Sequence, residues 1–503
     1  MSSFKVLLIY PNGKLMNPPA ISIGLFTALL RQNGFDVDLF DTTLYSNRDE
    51  IGSDEAKQEN LQVRPFDYAE RGIKLKETMM ENDIVKKVEE FCPDLIAVST
   101  LESIYPTAVR LLRAIEGFDI PVIVGGVFAT FAPEIVISNK NVTMVCIGEG
   151  EQVLIELCKK MADGEDYSNI ENLWFRRGEQ IIKNKLRSLV DVNNLPIPDY
   201  SLFELERFFR PMAGKVYKTI PIETDRGCPY ACTFCNSPST AKLYRENNST
   251  TFFRKKSMYR VQQELQYLVK KWDAEYVYFT SDTFLSVTDE EFERFVKIYS
   301  EFKLPFWLQS RAETITEYRA KKLKEIGCHR ISMGLEHGND DFRKKVLRKK
   351  FDNEQIIKAS KILADEGIPL TVNNIIGFPD ETRELVFDTV ELNRKLTFDT
   401  TNAFAFAPFH GTPLHKLCIE KGYIPADFNP GSINVDVSLN MPQLSREDIK
   451  GLKRTFALYA RLSKDYWPKI KRAEKFNEEG NRIFDELKRI YQEKYFGISK
   501  TSE

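Results

Sequence analysis

The chain has 503 residues, which is long enough for two or three domains. Its 71 Lys and Arg residues are balanced by 73 Asp and Glu residues, so no net charge attracts a polyanion, and a nucleic-acid partner is not expected. No apolar run reaches the about 18 residues of a membrane span, the N-terminus has a strand pattern and not that of a signal peptide, and cysteines without a regular framework favour a reducing cytoplasm.

The N-terminal 160 residues alternate between strand and helix patterns. Short apolar runs predict strands at 4–10, 37–40, 95–98, 122–124 and 144–147. Amphipathic segments at 21–33 and 106–116 predict helices between them. This alternation predicts a doubly wound, Rossmann-like α/β sheet, in which ligands bind beyond the carboxyl ends of the strands.

Three loops follow predicted strands at that edge of the sheet: Ser99 to Leu101, Gly125 to Val127, and Gly148 to Glu151. Glycines in such loops let a ligand approach the backbone closely, although a glycine pair after a strand is ordinarily only a turn. Two other segments have weak patterns. Residues 42–88 predict an insertion or a long helical excursion, and residues 161–215 predict a linker with a small subdomain.

A cysteine motif is the most informative feature of the chain. Cys228, Cys232 and Cys235 have the spacing C-x3-C-x2-C within one short loop. Three thiolates are one fewer than a four-iron cluster takes when cysteine holds every iron, so one iron is left open to a small molecule. A structural zinc site needs four ligands, and no further Cys or His pair lies nearby. The spacing predicts a 4Fe-4S cluster, and the other five cysteines are expected to be buried structural thiols.

The motif resembles the signature loop of radical S-adenosylmethionine enzymes, and Phe234, just before the last cysteine, also matches that pattern. The Ser-x-Leu and Gly-Gly loops resemble those of cobalamin-binding domains. The chain therefore resembles the members that carry such a domain in front, over about residues 1–425 and most strongly over 220–412. The resemblance implies three cofactors, namely a 4Fe-4S cluster, S-adenosylmethionine and cobalamin. It also implies a reductant of the flavodoxin or ferredoxin type and a small-molecule or biosynthetic-intermediate substrate.

From residue 219 the strand and helix rhythm resumes. Strands are predicted at 219–224, 275–280, 305–310, 329–334, 369–376 and 402–407. Six units suit the partial (β/α)6 barrel, of the TIM type, that the resemblance implies, with its chemistry at the carboxyl ends of the strands.

The resemblance places the cofactor contacts at strand ends. S-adenosylmethionine is expected to contact Phe234, Ser281, Asp282, Gln309, Arg311, Glu336, Ile375 and Gly377. Cobalamin is expected to contact Ser99, Leu101, Glu102, Gly125, Gly126, Val127, Glu149 and Gly150. Any one of these positions is also compatible with an ordinary solvated loop residue.

Histidines distinguish this chain from the cobalamin domains that hold cobalt through Asp-x-His-x-x-Gly. All four histidines follow the cysteine loop, and the loop after the first strand is Pro11-Asn12-Gly13. Either cobalamin is bound without a protein nitrogen beneath it, or the domain has lost the cofactor. In the first case, the lower face is expected to meet Leu101 to Ser103. At the end of the sixth barrel strand, a hydrogen-bonding role is favoured for His410 over that of a catalytic base.

The predicted domains are 1–160, which binds cobalamin, the linker 161–215, the barrel 216–426 and a helical region 427–503. A capping box at Ser445 to Asp448 is expected to begin one C-terminal helix. The apolar face of these helices indicates either docking onto the barrel or a cap over the substrate.

The leading hypothesis for function is a cobalamin-dependent radical methylase. Such an enzyme uses a 5′-deoxyadenosyl radical and methylcobalamin to methylate an unactivated carbon, which has no basic or nucleophilic handle. The runner-up is a non-methylating member that performs ring formation, rearrangement or oxidation, with cobalamin as an electron carrier or absent. A cobalamin-sensing regulator and a simple electron-transfer protein are disfavoured, since the first lacks a DNA-binding segment and the second takes a fourth cysteine.

Overall fold

The computed structural model describes residues 4–15, 18–46, 52–248 and 251–498. Two seven-stranded sheets dominate it. The strands of the N-terminal sheet are β1 Lys5–Tyr10, β2 Asp36–Asp41, β3 Leu95–Ser99, β4 Val122–Gly125, β5 Met144–Cys146, β6 Leu173–Arg177 and β7 Gln180–Lys183.

These strands lie in the order β2-β1-β3-β4-β5-β6-β7. The first five are parallel, whereas β5, β6 and β7 pair antiparallel. The order of the parallel strands is that of doubly wound folds, so the prediction of a Rossmann-like domain is confirmed. Since β6 and β7 lie beyond residue 160 in the same sheet, the segment expected as a linker contributes two strands to this domain. The domain boundaries remain a proposal.

Helices cover both faces of the N-terminal sheet. They are α1 Ile21–Gln32, α3 Met80–Phe91, α4 Tyr105–Ala114, α5 Val127–Phe131, α6 Pro133–Ser138 and α7 Glu151–Ala162, whereas α2 Ser53–Glu59 lies against the barrel. Leu30 of α1 and Leu157 of α7 are buried in one apolar core, and Ile84 of α3 and Leu111 of α4 in another on the opposite face. Because both faces are covered, the strands are apolar runs rather than alternating ones.

The second sheet belongs to the barrel. Its strands are β8 Phe209–Met212, β9 Lys215–Glu223, β12 Tyr276–Thr280, β13 Phe306–Ser310, β14 Cys328–Glu336, β15 Leu370–Ile376 and β16 Thr400–Ala405, and a separate pair is formed by β10 Asp225–Arg226 and β11 Arg254–Lys255. The order is β16-β15-β14-β13-β12-β9-β8. Six strands, β9 and β12 to β16, are parallel, and β8 pairs antiparallel with β9. The predicted six-stranded partial barrel is confirmed.

Helices alternate with the barrel strands and cover the outside. They are α8 Asn236–Asn248, α9 Met258–Trp272, α10 Asp289–Tyr299, α11 Glu317–Glu325, α12 Asn353–Asp365, α13 Arg383–Asn393 and α14 Pro413–Glu420. Three more follow: α15 Arg446–Arg461, α16 Trp467–Ala473 and α17 Glu478–Tyr491. None of the helices in the described ranges combines the length and apolar character that spanning a bilayer requires.

The C-terminal helices dock onto the barrel. The predicted capping box begins α15, where the Ser445 hydroxyl accepts a hydrogen bond from the Asp448 amide at 3.1 Å. Phe456 and Tyr459 of α15 are buried in one core with Ala403 and Ala405 of β16. These apolar side chains therefore dock the C-terminal helices onto the barrel and do not form a cap over the substrate.

A segment from the N-terminal region, residues 52–72, closes the open side of the half-barrel; we call it the seam segment. The Gln62 side-chain amide donates to the carbonyl of Ala403 on the edge strand β16 at 3.2 Å. Nearer the other edge, Arg71 donates to the carbonyl of Val216 on β9 at 2.9 Å. The expected insertion at 42–88 thus bridges the two edges of the barrel sheet, which a partial barrel leaves apart.

Candidate active site

The cysteine loop follows β9 and is fixed from three sides. Strand β10 directly precedes it and pairs antiparallel with β11, which follows α8 in the chain, and Gly227 then turns the chain with φ of +88°. A Cβ at Gly227 would lie 2.7 Å from the ring of Phe252, so glycine is required there. The Thr233 hydroxyl donates to the carbonyl of Val346 at 2.7 Å, which ties the loop to the segment after β14. Helix α8 starts immediately after Cys235.

The three thiols are partly exposed at the carboxyl end of the barrel. Burial raises the pKa of Cys228 and raises that of Cys235 to about 12, so both carry a proton at neutral pH until a metal ion replaces it. In the described residues, no three His, Cys, Asp or Glu side chains converge on one point as ligands of a metal ion. In a four-iron cluster each cysteine binds a different iron, so the three sulfurs do not have to converge on one point as the ligands of a single metal ion do. Three partly exposed thiols on one loop therefore fit such a cluster.

Polar residues predicted to hold S-adenosylmethionine surround this loop. Arg311 lies 3.6 Å from the ring centre of Tyr230 and donates toward the sulfur of Cys232 at 3.7 Å. Its ion pair with Glu313, at 2.6 Å, fixes the guanidinium. Gln309 donates to the carbonyl of Ser281 at 3.0 Å. The third-strand residues are thus brought next to the cysteine loop.

The end of β12 is acidic. The hydroxyl of Ser281 donates to Asp225, with oxygen distances of 2.7 and 2.8 Å. Burial raises the pKa of Asp225 to about 7, although hydrogen bonds from Ser281 and Thr224 oppose the shift. The Asp282 side chain is exposed to solvent, yet desolvation by the surrounding protein raises the pKa of its carboxyl group. Ser281 therefore orients Asp225, while Asp282 is left facing the site.

Glu336 ends β14 with φ of +66°, a left-handed conformation that is uncommon outside glycine. Its carboxylate forms an ion pair with the buried Lys349 at 2.9 Å, and Lys349 also donates to the carbonyl of Gly334. After β15, the amide of Gly377 donates to the buried carboxylate of Glu381 at 2.5 Å. Phe234 packs 6.0 Å from the ring of Phe378 in the same region.

A cavity of about 310 Å³ lies at the carboxyl ends of β1, β3, β4 and β5 in the N-terminal sheet. Its lining is mainly apolar. It includes six of the eight predicted cobalamin contacts, namely Ser99, Gly125, Gly126, Val127, Glu149 and Gly150. The barrel completes the wall with Arg226, Tyr244 and Phe252. The Tyr244 hydroxyl accepts from the amide of Glu149 at 2.9 Å.

Two large apolar side chains that follow strands of this sheet are exposed. Val127, which lines the cavity, is 42% accessible, and Leu101, a predicted cobalamin contact that is not among the lining residues, is 48% accessible. Apolar side chains exposed next to a mainly apolar cavity mark a ligand surface. This arrangement fits a large, partly apolar group such as cobalamin held between the two sheets.

Glu102, a predicted cobalamin contact, has its side chain in the domain interface. It accepts from the backbone amide of His410 at 3.0 Å, and its other oxygen lies 2.5 Å from His410 Nδ1. The second ring nitrogen lies 3.2 Å from the carbonyl of Ala426. Glu102 is 5% exposed and is not among the residues that line the cavity. The favoured hydrogen-bonding role of His410 is what the structure shows.

The Glu102–His410 pair makes this interface sensitive to pH. Burial opposes protonation of His410, but the hydrogen bond and charge of Glu102 outweigh it and raise the pKa of His410. Burial, together with the charge of His410, lowers the pKa of His415 to about 4. The stabilisation from His410 is complete below the unfolded pKa of about 6.5 and is lost as the pH rises through the higher folded value.

Residues of three strand-end loops join the two domains in one ionic network. Arg226 contacts Glu149 at 3.1 Å, Glu151 at 2.6 Å and Glu223 at 3.1 Å. Arg254 forms a further ion pair with Glu149. The carboxylates raise the pKa of Arg226 although its burial opposes this, so the guanidinium is charged. Glu149 is held by this network, beside the cavity that it lines.

Several residues of these sites gave no signal in the sequence analysis. Tyr244, Phe252 and Lys349 act across long sequence separations, and no motif marks them. Arg226 and Asp225 precede the cysteines directly, so their position next to the motif could have identified them.

Comparisons with known proteins agree with both halves of this arrangement. Residues 222–392 match the Radical SAM superfamily, and residues 17–158 match the B12 binding domain. An uncharacterised methyltransferase of Pyrococcus horikoshii is 27% identical, over 76% of this chain and 81% of its own length. Cytidylyl-2-hydroxyethylphosphonate methyltransferase of Streptomyces wedmorensis is 21% identical, over 86% of each chain.

A solved structure shares the fold over almost the whole length. It is the radical S-adenosylmethionine methyltransferase TsrM of Kitasatospora setae with cobalamin and a [4Fe-4S] cluster bound. The TM-score is 0.66 at 15% identity, and the match covers 98% of this chain and 100% of that one. The order of the domains is therefore that of an enzyme with both groups bound.

Replacing Cys228, Cys232 and Cys235 by Ala is expected to abolish iron loading and the formation of 5′-deoxyadenosine, because the thiolates are the predicted iron ligands. Iron and sulfide analysis after anaerobic reconstitution, with product mass spectrometry, measures both. Cys92→Ala is the control, since Cys92 is exposed and, contrary to expectation, is not a buried thiol like Cys146, Cys158, Cys328 and Cys418. Retained cleavage in the triple variant would refute the assignment.

Reconstituted protein is expected to bind cobalamin with a base-off absorption spectrum that neither His337→Ala nor His410→Ala alters. The physical reason is that both ring nitrogens of His410 face other partners, and Nε2 of His337 lies 3.0 Å from Glu381. Absorption spectroscopy of the three proteins makes the comparison. A change of the cobalt spectrum in either variant contradicts this account of the lower face.

Glu102→Gln is expected to destabilise the protein most below about pH 6.5 and progressively less as the pH rises through the raised folded-state pKa of His410, because wild-type His410 loses its proton there. Removing one partner of a buried pair costs about 3–5 kcal/mol where the pair is fully charged. Thermal unfolding midpoints at several pH values provide the test. Glu134→Gln, whose partner is Lys183 on the surface, is the control with a small effect at every pH. An effect of Glu102→Gln that does not vary with pH would show that His410 is not charged.

Proposed function

We propose that this chain, a member of the radical S-adenosylmethionine superfamily with an N-terminal B12-binding domain, is a cobalamin-dependent methyltransferase that acts on an unactivated carbon of a small molecule. The observation that carries the proposal is the meeting of two strand-end sites. The cavity of the N-terminal sheet is completed by Arg226 and Tyr244 of the barrel, and Arg226 lies two residues before Cys228. A site for cobalamin and a site for the cluster are therefore adjacent.

When bound, the cluster supplies the electron that cleaves S-adenosylmethionine, and cobalamin carries the methyl group. The chain's own residues bind and orient these groups. Arg311, held by Glu313, would pair with the carboxylate of S-adenosylmethionine, and Asp282 would pair with its amino group. The apolar side chain of Val127, which lines the cavity, would contact bound cobalamin and limit the access of water.

The proposal also includes the electron donor and the cellular compartment. The electron donor is a reduced protein of the flavodoxin or ferredoxin type, since the cysteine loop opens at the strand ends and none of the described residues supplies an electron by itself. The enzyme works in the cytoplasm, because all eight cysteines are free thiols, as is usual for a reducing compartment.

Incubation of the reconstituted enzyme with reductant and S-adenosylmethionine labelled in its methyl group tests the function. We expect 5′-deoxyadenosine and transfer of the label to cobalamin, both read by mass spectrometry, because the two sites adjoin. The triple cysteine variant should retain cobalamin and form no 5′-deoxyadenosine. Production of 5′-deoxyadenosine with no label ever reaching cobalamin would contradict methyl transfer and favour the non-methylating runner-up.

A further inference from the structure

The lumen of the half-barrel is a polar cavity of about 220 Å³, separate from the two cofactor sites. Side chains of alternate strand positions face it, whereas their neighbours, such as Leu308 and Ile331, are buried in the core beneath the outer helices. The polar lining comprises Gln309, Arg330, Ser332, Thr371, Asn373, Thr400 and Asn402. Closed barrels fill this space with bulky apolar residues, so a polar lumen needs another explanation.

The seam segment supplies one wall of this cavity and makes it basic. Lys57 and Arg64 of the segment line the cavity together with Arg210 and Arg330 of the barrel. Among the lining residues of the described chain, Asp54 is the only carboxylate, and it lies 3.3 Å from Lys57.

The guanidinium groups of Arg64 and Arg330 share a single acidic partner, Asp399. Burial lowers the pKa of Arg330 to about 10, and the charge of Arg64 acts in the same direction. Among the described residues, these two arginines and Lys57 thus meet two carboxylates, Asp54 and Asp399. The excess positive charge favours an anionic ligand.

Two buried atoms of the lining have no hydrogen-bond partner in the described structure. They are Nε of Arg330, a donor, and Oδ1 of Asn402, an acceptor. Arg330 is 5% and Asn402 is 7% exposed, so neither is an ordinary surface group. Asn402 is fixed by its donation to Asn373 at 2.8 Å. A ligand that carries both an oxyanion and a hydrogen-bond donor would satisfy these atoms.

Gln309 connects this cavity to the cofactor site. It lines the lumen, and its amide donates to the carbonyl of Ser281, next to Asp282. Phe404 also lines the lumen. A cavity of this size is smaller than the roughly 300–1,000 Å³ that encloses a whole drug-sized ligand, so it suits one end of a molecule.

We infer that the lumen binds an oxyanion of the substrate, a phosphate or a carboxylate, with Lys57 and Arg330 as its cationic contacts and with the reacting carbon held toward Gln309. That this ligand is the substrate rests on the proposed function. The oxyanion site itself rests on the lining of the lumen alone.

Calorimetric titration of the reconstituted enzyme tests the site, with inorganic phosphate and malonate as probes and chloride balancing the ionic strength. Wild-type protein is expected to bind at least one probe saturably, and the preferred probe distinguishes a phosphate ester from a carboxylic acid. Lys57→Met should weaken binding roughly tenfold or more, because a charge-assisted hydrogen bond is lost. Lys57→Arg should retain most of the affinity.

Lys14→Met is the matched control. Lys14 pairs at 3.1 Å with Glu55, which lies in the same helix, α2, as Lys57. The side chain of Lys14 is 18% exposed and that of Lys57 is 17% exposed, but Lys14 is not among the residues that line the cavity. Ser332→Asp, which places a carboxylate in the lumen, should abolish binding in a protein with an unchanged circular dichroism spectrum. No saturable binding of either probe, or equal losses in the two lysine variants, would overturn the inference.

The titration contains no S-adenosylmethionine, so its result is independent of turnover. Failure to bind an oxyanion, together with 5′-deoxyadenosine formation and label transfer, would reject the lumen site alone. Oxyanion binding without any cofactor chemistry would reject the proposed function and leave the site.

Discussion

The contact between Arg226 and the glutamates of two domains is the interaction on which the candidate active site depends. Arg226 lies two residues before Cys228, and of its partners Glu151 begins helix α7 and Glu149 lies in the loop just before it. Buried charges are costly unless they are paired, and loss of one partner leaves the others uncompensated at about 3–5 kcal/mol. The network therefore holds the cysteine loop against the cavity of the first sheet, and it does so only when both domains are folded.

A half-barrel raises a second physical problem, which the seam segment solves. Six parallel strands leave two edges apart, and unpaired strand edges expose backbone donors and acceptors. Gln62 and Arg71 satisfy carbonyls at or near the two edges, and Arg64 pairs with Asp399 just before β16. The chain that closes the barrel comes from the N-terminal region, so the two halves depend on each other for a complete wall.

Local sequence patterns predict the strands of the two sheets and the cysteine loop, whereas they do not predict contacts between residues that are distant in the sequence. The strands agree with prediction to within a few residues because fully covered parallel strands are short apolar runs. The cysteine loop is identified by spacing within one loop, which requires no long-range information. Glu102 illustrates the limit, since its neighbours in sequence placed it beside cobalamin whereas its partner, His410, is 308 residues away. The seam segment is likewise defined by distant contacts, and its own pattern is weak.

The loop after β1 contains no histidine and packs against the end of β2. Asn12 in this loop is buried, and its side-chain amide donates to the hydroxyl of Thr43 at 2.9 Å. Its backbone amide donates to the hydroxyl of Thr42 at 2.8 Å. With Glu102 held by His410, the side chain left exposed at the next strand end is that of Leu101, which is apolar and has no lone pair to offer a metal. The same packing that joins the domains thus holds the Glu102 carboxylate away from the cavity of the N-terminal sheet.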